Sequence, residues 1–440
     1  MKKFLSLLLV MAMVGVIFVG CSDSSGEEGG GSGAADTGTV ENEGTDDANA
    51  APDSEEVTLT VWGDTDNQSI LEGSFSEINA AFMEKYPNIK LDYQYSGSLD
   101  SINVAVQSDS LPDLFWVQGN KSTRMSEMAQ NGYILPLGDY NLDSSRFPEE
   151  SIEYATVDGD TYCSYPAFFD YVCIYYNRDI FDKYSLSEPN NWDEFMDLMQ
   201  KLQDEGEIPM ATGGRGDFDR YWIMQAMAPA LFNDTMKSIA DGDKDADYTP
   251  MAKTFDLYRE MVEKGYFGKD FTANDGAGAQ LTFTSGNAAM TVDGTWNNGI
   301  YKDTGMNIGR FALPGPDGKR YAQSGPSNYE TYAISSKTQH PDEAVKYLEF
   351  LNSIEAQQIL EDKLAAIPLV KDLQVADESA KEMANYDVVG YNVYHVLSGV
   401  ATESARPQDV FLGECLPKLM MGEIDGEQAV EMIKTEIDKV

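Results

Sequence analysis

Histidine and cysteine are scarce in this chain of 440 residues, which has two histidines, His340 and His395, and four cysteines without a Cys-x-x-Cys pair. So few histidines argue against a histidine-based metal site and against a Ser-His-Asp type of active site. The sequence also has no Walker motif and no Gly-x-Ser-x-Gly segment, so we expect neither a metal nor a cofactor. Cys163 and Cys173 either form a disulfide or remain buried thiols, and the sequence leaves both states open.

Positive charge is also in short supply. Lys and Arg together number 31 against 74 Asp and Glu, which gives a net charge of −43. Binding to nucleic acid depends on neutralising phosphate groups with basic side chains, so this composition argues against nucleic acid as a partner. An acidic surface is compatible with neutral or cationic ligands, although by itself it mainly reports solubility.

The first 20 residues have the layout of an export signal. Lys2 and Lys3 precede an uncharged, largely apolar stretch over 4–20, and this stretch is short for a membrane span of about 20 residues. A positive start followed by an apolar segment and a small residue predicts a cleaved signal peptide over 1–20.

The end of this signal resembles the bacterial lipobox. Cys21 follows Val19 and Gly20, whereas Phe18 departs from the pattern, in which Leu is usual. The resemblance implies that Cys21 becomes the lipidated N-terminus, so that a lipid anchor attaches the protein to the membrane. The alternative is an ordinary secreted protein with an incidental cysteine.

An acidic, polar segment separates the signal from the rest of the chain. Residues 21–56 contain eleven acidic residues and no aromatic residue, Lys or Arg. Such a segment buries too little apolar surface to offset its chain entropy, so we predict a disordered tether with a reach of roughly 30 Å. Subtracting this segment and the two signal lysines leaves a charge of −34 on the body, residues 57–440.

The body shows the periodicities of an α/β protein. Asn191, followed three residues later by Glu194, predicts the start of a helix with Trp192 on its core face. Strands that alternate with helices indicate parallel sheets. Alternating or continuous apolar residues predict strands at 57–62, 89–95, 114–117, 171–176, 208–212 and 288–292, and helical spacing predicts helices around 75–86, 191–205, 255–262, from 341, and around 430–437.

Seven segments of the body form a distinctive series along the chain. They are VTLTVWG (57–63), AFMEKYPNIKLDY (81–93), SLPDLFWV (110–117), GYILPL (132–137), DGDTYCSYPAFFDYVCIYYNRDIFDKYSL (158–186), NNWDEFMDLMQKLQDEG (190–206) and FTSGNAAMTVDGTW (283–296). Each segment is a weak signal alone, but their shared order and spacing is a strong one. In this order they resemble the family-1 extracellular solute-binding proteins, the maltose- and oligosaccharide-binding group.

The resemblance implies a two-lobed, periplasmic-binding-protein-like α/β fold of type II. Each lobe would be a mainly parallel sheet flanked by helices, and the lobes would close about hinge segments on a ligand in the cleft between them. The implied crossings between lobes fall near 164–170, 292–296 and 335–340. The implied N-terminal lobe is therefore 57–167 plus 294–337, and the implied C-terminal lobe is 168–293 plus 338–440.

The resemblance also implies a function in transport. We expect a monomeric lipoprotein on the extracytoplasmic face of the cell membrane that captures a mono- or oligosaccharide and delivers it to an ABC transporter permease, without chemistry of its own. A secreted glycosidase, which also uses aromatic residues and paired carboxylates, is the alternative from another class. A binding protein for a polyamine or a peptide is the nearer alternative.

Saccharide binding requires aromatic side chains that cover the apolar face of a sugar and planar polar groups that pair with its hydroxyls. Both kinds follow predicted strands, where open α/β sheets bind ligands. Trp62 and Trp116 either line the cleft or enter the core of the lobe. The candidate ligand-binding residues are Trp62, Asp64, Asp66, Trp116, Asn120, Asp170, Tyr171, Arg215, Trp222, Asp293, Trp296, Tyr329, Glu330 and Arg406.

Overall fold

The computed structural model of the protein describes residues 56–121, 123–243, 245–323, 325–402 and 404–439. These residues belong to one compact unit, Ser54–Val440. The predicted signal peptide, Cys21 and all of the predicted tether except its last residue lie outside the described residues.

Strands and helices alternate along most of the body. The strands are β1 (Val57–Asp64), β2 (Ile89–Gly97), β3 (Leu114–Trp116), β4 (Thr156–Val157), β5 (Asp160–Thr161), β6 (Phe168–Asp170), β7 (Val172–Asn177), β8 (Ile208–Ala211), β9 (Ala288–Gly294), β10 (Ile308–Phe311), β11 (Leu313–Pro314), β12 (Arg320–Gln323), β13 (Gly325–Pro326), β14 (Tyr332–Ile334), β15 (Ile367–Pro368) and β16 (Val388–Gly390).

The α-helices range from four residues to 18. Among the described residues, none of the helices is both long and apolar enough to cross a membrane. They are α1 (Gln68–Lys85), α2 (Leu99–Ser108), α3 (Thr123–Gln130), α4 (Glu149–Ala155), α5 (Arg178–Lys183), α6 (Trp192–Asp204), α7 (Asp217–Leu231), α8 (Asn233–Ala240), α9 (Thr249–Glu263), α10 (Gly276–Thr284), α11 (Asn298–Lys302), α12 (Pro341–Leu351), α13 (Ile354–Leu364), α14 (Glu378–Met383), α15 (Val393–Gly399), α16 (Pro407–Val410), α17 (Leu416–Met420) and α18 (Gly426–Ile437).

The first lobe is built on a sheet with the strand order β14-β3-β1-β2. Strand β1 runs parallel to β2 and β3, and only β14 is antiparallel to its neighbour. Leu59 and Val61 of β1 are fully buried, whereas Thr58, just before Leu59, and Thr60, between the two, are exposed. Full burial of such an aliphatic side chain contributes about 1.5–3 kcal/mol, so the alternation fixes which face of β1 enters the core. The predicted strands of this lobe are confirmed.

The second lobe is built on a sheet with the strand order β10-β7-β9-β8. Strand β7 is antiparallel to both β9 and β10, and only β8 and β9 are parallel. The expectation of a mainly parallel sheet is therefore wrong for this lobe. Because β7 begins at the boundary with the first lobe and β9 ends there, with Val172 opposite Gly294, the two strands must run in opposite directions.

Three segments connect the two lobes, and they pair with one another. Strand β6 lies between β13 and β15 and is antiparallel to both. Along the chain, β6 leads from the first lobe into β7, β13 leads back from β12 to β14, and β15 leads from α13 towards α14. We call this three-stranded arrangement the crossing sheet.

The crossing sheet corrects two of the three predicted crossings. The first, near 164–170, coincides with β6, but the others lie at β13 and β15 rather than near 292–296 and 335–340. After β9 the chain returns to the second sheet, because β10 pairs with β7. After β14 it stays in the first lobe, because α12 and α13 pack into the first core.

The predicted bounds of the lobes change accordingly. Phe311 and Leu313, which the prediction assigns to the N-terminal lobe, are buried in the core of the second lobe. Tyr347, Leu348 and Leu360, which it assigns to the C-terminal lobe, are buried in the core of the first. Amphipathic segments such as 341–351 show which residues are buried, but not which of two cores receives them.

Helix α6 shows how closely local signals position an element. Asn191 is its N-cap, and its side-chain oxygen accepts a hydrogen bond of 2.9 Å from the amide of Glu194. The Glu194 carboxylate in turn accepts hydrogen bonds from the side-chain amides of Asn190 and Asn191. Gly206 adopts a positive φ of 85° just beyond the helix. Trp192 is buried against the second core, as predicted.

Candidate functional site

The carboxyl end of β1 carries the first candidate carboxylates. Asp64 is buried, and it accepts hydrogen bonds from the amide of Asp66 at 3.0 Å and from the side chain of Asn67 at 2.7 Å. Burial raises the pKa of the Asp64 carboxyl to about 6 because an ionised group loses hydration there. Asp66 is exposed. Asp64 therefore shapes the turn, and the exposed carboxylate of Asp66 is the one available to a ligand.

The two candidate tryptophans of the first lobe differ in exposure. Trp116 is only 2% exposed and belongs to the first core, and its indole N–H donates to the carbonyl of Asn328 at 3.1 Å. Trp62 is partly exposed and packs against the edge of the same core. Trp116 is therefore a core residue. Trp62 keeps part of its ring exposed, so it can contact a ligand.

Asn120 is an exposed residue of the short 3-10 helix, Gly119–Lys121, that follows β3. Its amide donates to the backbone carbonyls of Glu153, at 2.7 Å, and of Thr156. Both of its amide hydrogens therefore have partners within the first lobe, and its carbonyl oxygen is the atom left for a ligand.

The candidates at the first crossing are buried. Asp170 ends β6 and is 3% exposed. Tyr171 is completely buried, and its hydroxyl donates to the carbonyl of Met383 at 2.7 Å while its amide donates to Thr295 at 3.1 Å. Tyr171 thus joins the crossing segment to α14 and to the turn after β9. We therefore interpret Tyr171 as a residue that stabilises this junction rather than one that contacts a ligand.

Asp293 lies at the end of β9 and organises the turn that carries Trp296. One carboxylate oxygen accepts from the amide of Gly294 at 2.7 Å and from the side chain of Asn297 at 2.9 Å. The other accepts from Gln280 at 2.9 Å and from the hydroxyl of Tyr301. Burial raises the pKa of the Asp293 carboxyl, although these four hydrogen bonds favour its charged form. The network fixes the turn relative to α10 and α11.

Four aromatic side chains of the second lobe meet beside this turn. The centroids of Trp222 and Trp296 are 5.4 Å apart, those of Phe218 and Trp222 are 6.0 Å apart, and those of Phe218 and Tyr394 are 5.4 Å apart. We call Phe218, Trp222, Trp296 and Tyr394 the aromatic cluster. Phe218 is 45% exposed, and Trp222 and Trp296 are partly exposed.

Trp296 occupies a special place in the aromatic cluster, because it packs against the cores of both lobes. It follows β9 directly, where the second sheet ends at the boundary between the lobes. An aromatic ring at this boundary can cover the apolar face of a ligand that lies between the lobes. The structure brings together the two predicted platforms, Trp222 and Trp296, although they are distant in sequence.

The remaining candidates do not join the aromatic cluster through any described ring contact. Arg215 and Arg406 are exposed and form ion pairs with Asp275 and Asp409. Tyr329 and Glu330 are buried beside the crossing sheet, and the ring of Tyr329 meets Phe168 at 6.2 Å. Exposed ion pairs contribute little to stability, about 0–1 kcal/mol, so both arginines can exchange their partners for a ligand.

The structure adds three candidate residues that the sequence analysis did not predict. Phe218 precedes Trp222 by one helical turn, so the spacing carried a signal, whereas Tyr394 reaches the aromatic cluster only through the tertiary fold. Arg124 of α3 lines a small cavity with Trp116 and Gln118, and its Nη1 is buried without a hydrogen-bond partner among the described residues.

Arg124 is unusual among the arginines of this protein. In the described part of the chain, the other arginines each form an ion pair with a carboxylate: Arg146, Arg178, Arg215, Arg220, Arg259, Arg310, Arg320 and Arg406. A guanidinium group without an acceptor is a donor available to the oxygens of a ligand. Arg124 follows β3 in the chain and lines the cavity together with Leu99, just after the end of β2.

The thiols of the body are not paired. Cys163, Cys173 and Cys415 are free and buried, and burial raises the pKa of each thiol. The disulfide between Cys163 and Cys173 that the sequence left open is therefore absent. Within the described ranges, no three His, Cys, Asp or Glu side chains are grouped to hold a metal ion.

Comparisons with known proteins agree with this architecture. The model of the bacterial extracellular solute-binding protein family matches residues 67–358. An uncharacterised ABC transporter extracellular-binding protein of Pyrococcus horikoshii is 26% identical over 312 residues, which cover 68% of this chain and 69% of the relative. A maltooligosaccharide ABC transporter solute-binding lipoprotein of Streptococcus pneumoniae is 24% identical over 327 residues, 72% of this chain and 73% of the relative.

Solved structures show the same fold. The structure of a chitin oligosaccharide binding protein superposes with a TM-score of 0.72 at 20% sequence identity, and the match covers 88% of this chain and 99% of the other. The two-lobed fold expected from the sequence is thus confirmed. Since the family match spans well over half of its length, this chain belongs to the bacterial extracellular solute-binding protein family.

Proposed function

We propose that the protein captures a mono- or oligosaccharide between its two lobes and releases it unchanged to the permease of an ABC importer. The observation that carries this proposal is the aromatic cluster at the boundary between the lobes, with Trp296 in contact with both cores. Aromatic rings stack on the C–H faces of sugars, and partly exposed rings do so without a large rearrangement. The relatives named for maltooligosaccharide and chitin oligosaccharide support this ligand class.

Polar side chains of both lobes are candidates for the second requirement, the pairing with hydroxyl groups. Arg124 and Asp66 from the first lobe, with Arg215 from the second, offer donors and acceptors that hydroxyl groups can use. A hydrogen bond to a charged group contributes about 1.5–3 kcal/mol, so two or three of them distinguish one saccharide from another. Four further candidates contribute indirectly, because they hold the turns and strands that carry these contacts: Asp64, Trp116, Tyr171 and Asp293.

The cellular setting of the proposal follows from the N-terminus. A lipid on Cys21 would attach the protein to the extracytoplasmic face of the cell membrane, and the acidic segment 21–56 would let the body reach a permease within roughly 30 Å. The charge of −34 on the body argues against nucleic acid as a partner, and we expect a monomer.

Calorimetry with a panel of neutral saccharides, polyamines and short peptides tests the proposal. We expect binding to at least one saccharide and its recovery intact from the complex. Binding to a polyamine or a peptide alone would replace the proposed ligand class, and new reducing ends after incubation with an oligosaccharide would indicate a glycosidase.

A further inference from the structure

A cavity of the second lobe lies outside the aromatic cluster, where the end of α8 meets β16 and α15. It is open and has a volume of about 390 Å³. This volume falls within the range of about 300–1,000 Å³ that is typical of small-molecule sites. Among the residues that line it are Tyr391, Asn392, His395, Val396, Gly399 and Val400.

The cavity and the aromatic cluster are neighbours that extend in different directions. The ring of His395, which lines the cavity, is 6.3 Å from the ring of Tyr394 in the cluster. Tyr394 contacts Phe218 in the first turn of α7. The cavity instead reaches Gly390, which packs so closely against Pro229 near the other end of α7 that a Cβ atom would lie 2.5 Å from the proline Cβ. A ligand in the cavity would therefore occupy a site distinct from the aromatic cluster.

Asn392 presents unpaired donors at this cavity. The residue is 7% exposed, and its side-chain oxygen accepts hydrogen bonds from the hydroxyl of Tyr221 at 2.8 Å and from the amide of His395 at 3.1 Å. Because a backbone amide can only donate, these contacts fix which atom of the side chain is the oxygen. The side-chain nitrogen has no acceptor among the described residues, so both of its hydrogens are available to a ligand in the cavity that Asn392 lines.

The described wall of the cavity has polar groups, but none of its lining residues is Asp, Glu, Lys or Arg, although these types make up 24% of the chain. A charged ligand would lose hydration there without gaining a partner of opposite sign, so the wall disfavours phosphates, zwitterions and polyamines. Tyr391, Val396 and Val400 supply apolar surface, and the Asn392 amide and the Tyr391 hydroxyl supply hydrogen bonds. This combination suits a neutral molecule with hydroxyl groups and C–H faces.

We propose that this cavity is a second binding site, outside the cleft, for a neutral saccharide. The amide of Asn392 donates to hydroxyl oxygens of the sugar, and Tyr391 covers part of an apolar face. Because the cavity belongs to one lobe, binding there does not require the lobes to close. An open site with few hydrogen-bond partners binds weakly, so we expect dissociation constants in the millimolar range. The inference goes beyond the proposed capture of a saccharide in the cleft and does not depend on it.

His395 provides a probe for this site in the whole protein. The chain has one other histidine, His340, which precedes α12 in the first lobe, so NMR of protein labelled with isotope-enriched histidine follows the two rings separately. His340→Gln assigns the two signals. Maltotriose and triacetylchitotriose are added at constant pH into the millimolar range. Once the cleft is saturated, we expect a further, saturable shift of the His395 signal with a millimolar midpoint, whereas the His340 signal stays constant.

Gly399→Phe fills the cavity with little disturbance of the fold. Gly399 is exposed at the end of α15, and a Cβ atom there would meet no other atom within 4 Å. We expect this variant to weaken the millimolar step at His395 at least about tenfold, because the new ring takes the space of the ligand, and to leave affinity in the cleft unchanged. Gly73→Phe is the matched control, since Gly73 is also an exposed helical glycine with no atom near its Cβ position but lies on α1 of the first lobe. It should keep the millimolar step.

The outcomes separate the second site from the proposed function. Trp296→Ala should weaken binding in the cleft and keep the millimolar step at His395. Absence of this step in the wild type with both saccharides, its persistence in Gly399→Phe, or its loss in Trp296→Ala overturns the second site without bearing on capture in the cleft. A shift produced by a peptide or a polyamine but by neither saccharide also overturns it. A millimolar step at His395 without any saccharide binding in the cleft supports the second site and contradicts the proposed function.

Discussion

Trp222 and Trp296 meet edge to face, with ring centroids 5.4 Å apart and an interplanar angle of 64°. One lies on α7, and the other lies on the turn after β9. Their contact connects a helix of the second lobe to the boundary between the lobes, so that a ligand stacked on Trp296 is also near Trp222.

The first prediction concerns these two rings. Trp222→Ala and Trp296→Ala should each weaken saccharide binding about tenfold or more, since an aromatic contact contributes about 0.5–1.5 kcal/mol beyond its buried area and about 1.4 kcal/mol corresponds to a factor of ten. Titration calorimetry provides the affinities. Leu281→Ala is the control, because Leu281 is a strongly exposed apolar residue of the second lobe outside the aromatic cluster and its loss should leave affinity unchanged.

The second prediction concerns Arg124. Arg124→Gln should weaken saccharide binding about tenfold with little loss of stability, because the guanidinium group has no carboxylate partner in the described part of the chain. Arg259→Gln is the control, since Arg259 pairs with Asp256 and Glu263 on α9 and should not affect the ligand. Equal affinities for the wild type and Arg124→Gln would remove Arg124 from the binding site.

The third prediction concerns Asp293. Asp293→Asn places an amide donor where the buried carboxylate accepts four hydrogen bonds, so we expect the free energy of unfolding to fall by about 1–3 kcal/mol and saccharide affinity to fall as the Trp296 turn loosens. Urea denaturation and calorimetry measure the two effects. Asp317 also accepts a tyrosine hydroxyl, at 3.0 Å from Tyr321, but it is exposed, and Asp317→Asn should change stability by less than about 1 kcal/mol.

The fourth prediction concerns stability and pH. The pKa values of Asp64 and Glu330 in the folded protein, about 6 and about 8, lie above those of the unfolded chain, near 4. The folded state therefore binds more protons between these values, and stability must decrease as the pH rises through this window. We expect the free energy of unfolding to fall by a few kcal/mol between about pH 5 and about pH 8.5. In Glu330→Gln most of the decrease above about pH 6 should disappear.

The fifth prediction concerns the N-terminus. Cys21→Ser should release the protein from the membrane fraction of the producing cell into the soluble extracytoplasmic fraction, because it removes the proposed lipid attachment site. Fractionation and immunoblotting measure the distribution. An unchanged membrane fraction would mean that Cys21 does not carry the anchor.

Local patterns determined much of what could be predicted. The alternation in 57–62 and the cap at Asn191 depend on neighbours in sequence, and both elements form as expected. The sheet that each strand joins depends instead on distant partners. Ile308–Phe311 pairs with β7 because the chain returns to the second lobe, which no local pattern reports.

The candidate site shows the same limit. Trp116 and Tyr171 have residue types suited to a sugar and lie at the ends of predicted strands, 114–117 and 171–176, but tertiary packing buries both. Conversely, Tyr394 joins the aromatic cluster from the far end of the chain, and the availability of Arg124 depends on carboxylates that lie elsewhere. Sequence therefore predicts a kind of site, whereas tertiary packing decides which of the predicted side chains keep an exposed surface.

Small-angle X-ray scattering with and without a bound saccharide tests the central claim most directly. The account predicts that a saturating saccharide reduces the radius of gyration of the wild-type protein as the lobes close, and that the ligand is recovered intact. An unchanged radius of gyration on saturation with a saccharide would contradict it.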